Sequence, residues 1–291
     1  MEELDIKVGF QCNNRCVFCL NKDKKNLKTF SYTELKKQIE KFCEKNTLEK
    51  LIISGGEPLI YKDLFKILDF AKSKGVKRFE IQTNGRMLAY ENLVKKIGNY
   101  KPVGFLVSLH FSKKELYKKY MQVDGFDQVI RGINNLRNHN FNPTINTVVM
   151  NQNLNDLENI IKLLIKNNIK KTQYRYIDGK NVNDKYNTFV PKYSESIPII
   201  KNIVNKYSEK INIKLREIPL CLLGENYKRF LAPHNSNRLN ATTTNKLIPN
   251  NKVEEQQFIY PKCGNCSYKK VCSGVRKEYI NHYEAPDIKP I

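Results

Sequence analysis

The 291-residue sequence has no apolar run long enough to span a bilayer, and its opening residues, MEELDIKVGF, are charged where a secretory leader would be apolar. Membrane insertion and export are therefore not expected, and a cytoplasmic location is. Acidic residues are scarce: 29 Asp and Glu stand against 51 Lys and Arg, for a formal charge of +22. Nucleic acid or another polyanion is one partner such a balance allows. The lysines, however, are spread over nearly every helical pattern, with no block and no interleaved aromatics. Biased composition accounts for that better than nucleic acid does, and an anionic substrate stays open. No internal repeat is visible beyond an alternation of strands and helices. No Ser-His-Asp set or carboxylate pair offers itself, so no residue is singled out as catalytic.

What the sequence has instead is thiols in two groups. Eight cysteines in a reducing compartment are ligands or core residues before they are disulfide halves. The first group, Cys12, Cys16 and Cys19 in CNNRCVFC, is an odd set for disulfides and one ligand short of a closed zinc site. Three thiolates with one vacancy can hold three irons of a four-iron cluster and leave the last one open. The second group, Cys263, Cys266 and Cys272, has Cys221 upstream behind Pro219. Four thiols can close a site, and their spacing permits either a structural zinc or an iron–sulfur cluster.

Between Leu4 and about Ile177, short β-rich runs alternate with longer helical patterns over short connections, the rhythm of parallel strands with crossover helices. Strands are expected at 4–10, 50–54, 78–83, 103–109, 144–150 and 172–177. Six such units predict an α/β fold, a partial (β/α)6 barrel of parallel strands with a small C-terminal Cys-rich extension. The first helix starts at Ser31, with Glu34 at capping-box spacing, and puts Leu35, Ile39, Phe42 and Cys43 on one face, which reads Cys43 as core. After residue 178 come a helix around 194–210 and an alternating run at 211–218. The polar stretch APHNSNRLNATTTNKLIPNNK then reads as loop, lid or disorder. The expected division is a core over 1–210 and an extension over 211–291.

The CxxxCxxC loop directly after the first strand, with Phe18 before Cys19, resembles the cluster loop of the radical S-adenosylmethionine (radical SAM) superfamily. Ser54-Gly55-Gly56-Glu57-Pro58 after the second strand resembles that family's Gly-Gly-Glu-Pro motif, and Gln82-Thr83-Asn84-Gly85 after the third its Thr-Asn-Gly turn. The resemblance implies that Cys12, Cys16 and Cys19 hold a [4Fe-4S] cluster to which SAM binds. It further implies that Gly55, Gly56, Glu57, Pro58, Asn84, Ser108 and, on the pattern FDQVIRGI, Arg131 form the SAM site, with Glu57 structuring its turn. Alternation places Ser108 and His110 on one face of the fourth strand, and Asn146 and Arg175 on the inward faces of the fifth and sixth. An inward Arg175 calls for an anion, either a cofactor or substrate group or a structural carboxylate. Tyr174 and Tyr176 then face the helices as core.

The tail, with Ser273-Gly274 after Cys272, resembles the short twitch or longer SPASM extensions of the same superfamily. That likeness implies one auxiliary [4Fe-4S] cluster on Cys263, Cys266, Cys272 and Cys221; if Cys221 is not a ligand, it is a candidate hydrogen-atom donor. The superfamily implies reductive cleavage of SAM to a 5′-deoxyadenosyl radical, hydrogen abstraction from a substrate, and an electron donor such as flavodoxin or ferredoxin. Extensions of this kind point first to peptide modification of the RiPP type. They point second to radical oxidation or rearrangement of a small molecule such as a sugar or nucleotide. The sequence offers no separate N-terminal peptide-recognition domain, which weakens the first, and no room for a cobalamin domain. A basic zinc-binding nucleic-acid protein is the reading from another class; it accounts for the charge and the thiols and leaves the strand-end motifs unexplained.

Overall fold

The computed structural model describes residues 2–22, 29–179, 182, 185–232, 238–241, 247–249, 261–269, 271–283 and 288. Its strands, in chain order, are β1 (Glu2–Lys7), β2 (Leu48–Ser54), β3 (Arg78–Thr83), β4 (Val103–Ser108), β5 (Thr144–Val149), β6 (Lys171–Tyr176), β7 (Asn212–Arg216), β8 (Arg238–Ala241) and β9 (Leu247–Pro249). The first six lie where the β-rich runs predict them, and β7 lies on the alternating run after residue 210. The chain separates into two compact units. One comprises Met1–Leu109, Lys113–Thr144 and Asn235–Asn250; the other comprises His110–Ser112, Ile145–His234 and Asn251–Ile291. These units follow packing, whereas the division at residue 210 follows motifs.

In the first unit β1 to β4 pair in parallel in sequence order. Their register puts Ile6, Ile53, Ile81 and Phe105 in one row, and all four are buried. Helices α1 (Tyr32–Cys43), α2 (Leu64–Ser73) and α3 (Glu91–Gly98) bury Leu35, Ile39, Phe42, Ile67, Leu68, Val94 and Ile97. Each such side chain contributes about 1.5–3 kcal/mol when fully buried. The cap of α1 forms as the spacing predicts: Ser31 Oγ accepts from the Glu34 N–H at 3.3 Å, and Glu34 Oε2 accepts from the Ser31 N–H at 2.7 Å. Cys43 is only half-buried in the last turn. Polar pairs occupy β1 to β3 as well, with Ser54 Oγ donating to Asp5 Oδ1 at 2.5 Å and Lys50 pairing with Glu80 at 2.6 Å. The unit also contains α4 (Lys114–Met121) and α5 (Phe126–Asn138).

The polar stretch after residue 231 is not wholly loop, as its composition predicts. Within it β8 pairs in parallel with β1, Glu3 opposite Arg238, and β9 pairs antiparallel with β8. A strand edge offers unpaired N–H and C=O groups to any backbone, so this pairing needs no apolar pattern in the added strand. The rest of the stretch beyond Ala232 lies outside the described residues.

In the second unit β6 and β7 run parallel, Thr172 opposite Ile213 and Tyr174 opposite Leu215 on the buried face. Gln173 opposite Lys214 and Arg175 opposite Arg216 take the other face. Helices α6 (Leu157–Lys166), α7 (Tyr186–Phe189), α8 (Tyr193–Tyr207), α9 (Leu220–Leu223) and α10 (Lys277–Tyr283) belong here. Tyr174 and Tyr176 are core, as expected, and their hydroxyls donate to the carbonyl oxygens of Leu157 and Pro191. Among the described residues no helix is long and apolar enough to cross a membrane.

Candidate functional site

The loop between β1 and α1 carries the first thiol group, and bonds to the end of β2 fix its path. The Gly56 N–H donates to Gly9 O and the Glu57 N–H to Gln11 O, both at 2.8 Å. A Cβ on Gly55 would stand 2.4 Å from Gly9 O, and one on Gly56 would stand 2.0 Å from Gln11 O. Both obstacles are backbone atoms, so the glycines of the GGEP turn admit the thiol loop itself, a nearer requirement than the approach of a ligand. On its other side the loop meets the end of α4. The N–H groups of Arg15 and Val17 donate to Met121 O and Tyr120 O at 3.0 Å, satisfying carbonyls that a helix end leaves open.

Donors surround the sulfurs. Cys12 Sγ accepts from the Asn14 N–H at 3.4 Å and Asn84 Nδ2 at 3.6 Å, and Cys19 Sγ from the Asn21 N–H at 3.4 Å. The Cys16 thiol donates to Met121 Sδ at 3.4 Å. Burial pushes the Cys12 thiol up, while the Asn14 N–H pulls it down. Three half-buried soft ligands in one short loop, two of them with N–H groups aimed at sulfur, fit an iron–sulfur cluster with one open iron.

Glu57, expected among the SAM-binding residues, is 1% exposed and turned inward. Its Oε1 accepts from Thr83 Oγ1 at 2.7 Å and the Leu59 N–H at 3.0 Å, and its Oε2 from the Asn84 N–H at 2.7 Å. Burial pushes its carboxyl up against the pull of these bonds. The residue is thus a tie between the GGEP and Thr-Asn-Gly turns, and Pro58, buried, opens the short turn that Glu57 caps.

Asn84 reaches the loop a second time, its Nδ2 donating to Asn13 Oδ1 at 2.6 Å. Arg86, which the sequence reading passed over, clamps the same segment. Its Nη1 donates to Asn13 O and, at 3.1 Å, to Asn14 Oδ1, while its Nε donates to Gln128 Oε1 of α5 at 2.7 Å. The one signal for it was its place directly after Thr-Asn-Gly. Ser108 is half-buried at the end of β4, on the face of Leu106, and Arg131 is exposed on α5.

The second unit brings the other thiols together. Cys221, Cys263, Cys266 and Cys272 line one hollow with Pro219, Leu220 and Tyr268, a cavity of about 20 Å3. Cys272 Sγ accepts from the Leu220 N–H at 3.3 Å and the Gly274 N–H at 3.4 Å. Burial, then the neighbouring thiols, push Cys221 up to about 11. A zinc site draws four thiolates to about 2.3 Å of one ion. Among the described residues no three His, Cys, Asp or Glu side chains close on a single metal position.

His110 is a satisfied core histidine: it is 6% exposed, its Nδ1 accepts from the Val148 N–H at 3.1 Å, and burial pulls it down to about 4. Asn146 accepts from Gln173 Nε2 at 2.8 Å, and Gln173 Oε1 accepts from Arg216 Nε at 3.3 Å. Arg175 finds an anion within the chain, Glu217, which also pairs with Arg276. Burial would raise the Glu217 carboxyl, but the two guanidinium groups hold it down to about 2. One face of β6 and β7 thus presents three half-buried cations, Arg175, Lys214 and Arg216.

Comparison with known proteins agrees with this layout. The family described as the radical SAM superfamily matches residues 6–164. A protein of Sulfurisphaera tokodaii named probable GTP 3′,8-cyclase is 29% identical over 218 residues, 74% of this chain and 67% of that one. The GTP 3′,8-cyclase of Campylobacter lari is 29% identical over 265 residues, 86% and 80% of the two chains. Among solved structures, native anSMEcpe with bound AdoMet has a TM-score of 0.74 at 17% identity, covering 99% of this chain and 92% of that one. Streptococcus suis SuiB bound to the precursor peptide SuiA has a TM-score of 0.73 at 14% identity, covering 99% and 74%. At these identities the structures speak for the fold alone, and they bear out the expected α/β architecture.

Proposed function

The chain belongs to the radical SAM superfamily, and from that premise we propose that this enzyme acts on a phosphate-bearing nucleotide, with GTP the first candidate. Peptide modification, the first expectation from the tail, is not what the named relatives favour; the small-molecule alternative fits them better. The observation that carries the reading is the cationic face of β6 and β7. Arg175, Lys214 and Arg216 stand there beside Glu217, and three cations on one face of a strand pair suit a polyphosphate.

In this reading Cys12, Cys16 and Cys19 hold a [4Fe-4S] cluster, and Asn84 and Arg86 keep their loop in place. With SAM bound, the reduced cluster would supply the 5′-deoxyadenosyl radical chemistry of hydrogen-atom abstraction. The protein's work is to orient: Arg175, Lys214 and Arg216 fix the phosphates of the substrate. The four tail thiols Cys221, Cys263, Cys266 and Cys272 would hold an auxiliary iron–sulfur cluster, which would supply an electron acceptor or an open iron for the substrate.

Anaerobic incubation with SAM, a strong reductant and GTP, ATP, guanosine or a short peptide tests the reading. A nucleoside triphosphate should raise 5′-deoxyadenosine formation above the substrate-free background and yield a new nucleotide product. Arg216→Ala should raise KM for the triphosphate more than for guanosine. Stimulation by peptide and by none of the nucleotides would overturn it.

A further inference from the structure

Two chain segments carry thiols to the tail hollow, and one buried ion pair joins them. The first runs from Glu217 through Pro219 and Leu220 to Cys221; the second runs from Cys272 through Gly274 to Arg276. Arg276 is 5% exposed. Its Nη2 donates to Glu217 Oε2, and its Nη1 donates to Asp178 Oδ2 at 2.8 Å, just beyond β6. Glu217 Oε1 accepts from Arg175. The segments touch again at the hollow, where the Leu220 N–H donates to Cys272 Sγ.

Stability alone does not account for this pair. Desolvating two charges offsets most of their attraction, so a buried ion pair is weak evidence of net stabilisation. Arg276 Nε is buried with no hydrogen-bond partner among the described residues, which costs more. Glu217 has φ +61°, a left-handed backbone that a non-glycine residue keeps only where its surroundings impose it. Three unfavourable features meet in one contact, and what that contact secures is position: an anchor on each of the two segments, each four residues from a cysteine.

We propose that the Glu217–Arg276 pair is the clamp that assembles the four-thiol site, setting Cys221 against Cys272 without either charged side chain touching the metal centre. The proposal deepens the reading that the tail holds an auxiliary cluster, and its test separates the two. Full-length chain is purified anaerobically and loaded with iron and sulfide, as wild type, Glu217→Gln, Arg276→Gln and Arg276→Lys, with the Cys263, Cys266, Cys272→Ala triple variant as reference. Two quantities are read: the rate at which a chelator removes the tail iron, and, in metal-depleted chain, the yield of Cys221–Cys272 cross-link from a short bifunctional thiol reagent, located by mass spectrometry.

Both Gln variants should release tail iron roughly 10- to 100-fold faster, the usual scale for groups that orient metal ligands. Their cross-link yield should fall several-fold, while the first cluster stays loaded as in the triple variant. Arg276→Lys keeps the charge and loses the fork, so it should fall between. Unchanged release and unchanged cross-linking in both Gln variants would overturn the clamp. A wild-type tail that takes no iron yet cross-links overturns the cluster reading instead, and the cross-link yields alone then decide the clamp. Should Arg276→Gln also lose the first cluster, a sign of general misfolding, the near-isosteric Glu217→Gln and the milder Arg276→Lys carry the test.

Discussion

The Glu57 N–H donates to the carbonyl oxygen of Gln11 at 2.8 Å, so the turn after the second strand and the approach to Cys12 are bonded backbone to backbone. The neighbouring Gly56 has no room for a side chain at that junction. Gly56→Ala is therefore expected to dislodge the thiol loop instead of merely weakening SAM binding. Iron per chain should drop by about four, the content of one cluster, with 5′-deoxyadenosine formation lost and the tail metal kept. Normal loading of the first cluster in this variant would show that the loop can be built another way.

Arg86 bridges Asn13 and Asn14 of the loop to Gln128 of α5. Arg86→Ala should leave the cysteines able to bind iron while loosening their loop, so that a chelator strips the first cluster about tenfold faster or more. Arg86→Lys, with one donor head in place of a fork, should recover only part of the loss. Chelation kinetics with the tail triple variant as background isolate the first cluster.

The two thiol groups should be separable. Wild-type chain loaded anaerobically is expected to hold about eight irons, two four-iron clusters. Cys12, Cys16, Cys19→Ala should keep about half and form no 5′-deoxyadenosine; Cys263, Cys266, Cys272→Ala should keep about half, still cleave SAM, and fail to convert substrate. One zinc and no additional iron in the wild-type tail would make the extension a structural clip. Cys221→Ala with unchanged iron would remove that residue from the ligands.

His110 predicts a pH dependence of stability. Its ring stays neutral in the fold down to about 4, against an ordinary value of 6.5. The unfolded chain therefore binds the proton first, and stability is full above about 6.5 and declines as pH falls toward 4. The shift corresponds to about 3 kcal/mol over that window. Urea midpoints at pH 7.5 and pH 5 should differ in wild type, and the difference should shrink in His110→Gln. An equal slope in both proteins would assign the dependence to other groups.

What could be read in the sequence was local. The capping box at Ser31 and Glu34, the alternation that buries Tyr174 and Tyr176, and the strand-end motifs each depend on residues a few positions apart, and each appears where its pattern predicts. Glu57 was recognised as a turn residue because its motif is contiguous. What could not be read was contact across the chain. Arg86 gains its meaning from Asn13 and Gln128, Arg175 from Glu217, and Glu217 from Arg276, and no spacing rule links such positions. The glycines of GGEP also admit the backbone of Gly9 and Gln11, a close approach that the sequence does not reveal. The pairing of β8 with β1 was missed for a different reason: it uses main-chain groups that every residue has.

That pairing also sets an order in time. Strand β1 leaves the ribosome well before β8, and at about 5–20 residues per second the interval between them is on the order of 10–50 s. Throughout it, one side of the strand that launches the cysteine loop has no neighbour from its own chain. Iron delivery to the nascent loop, or protection of that bare edge from other chains, has this window in which to act.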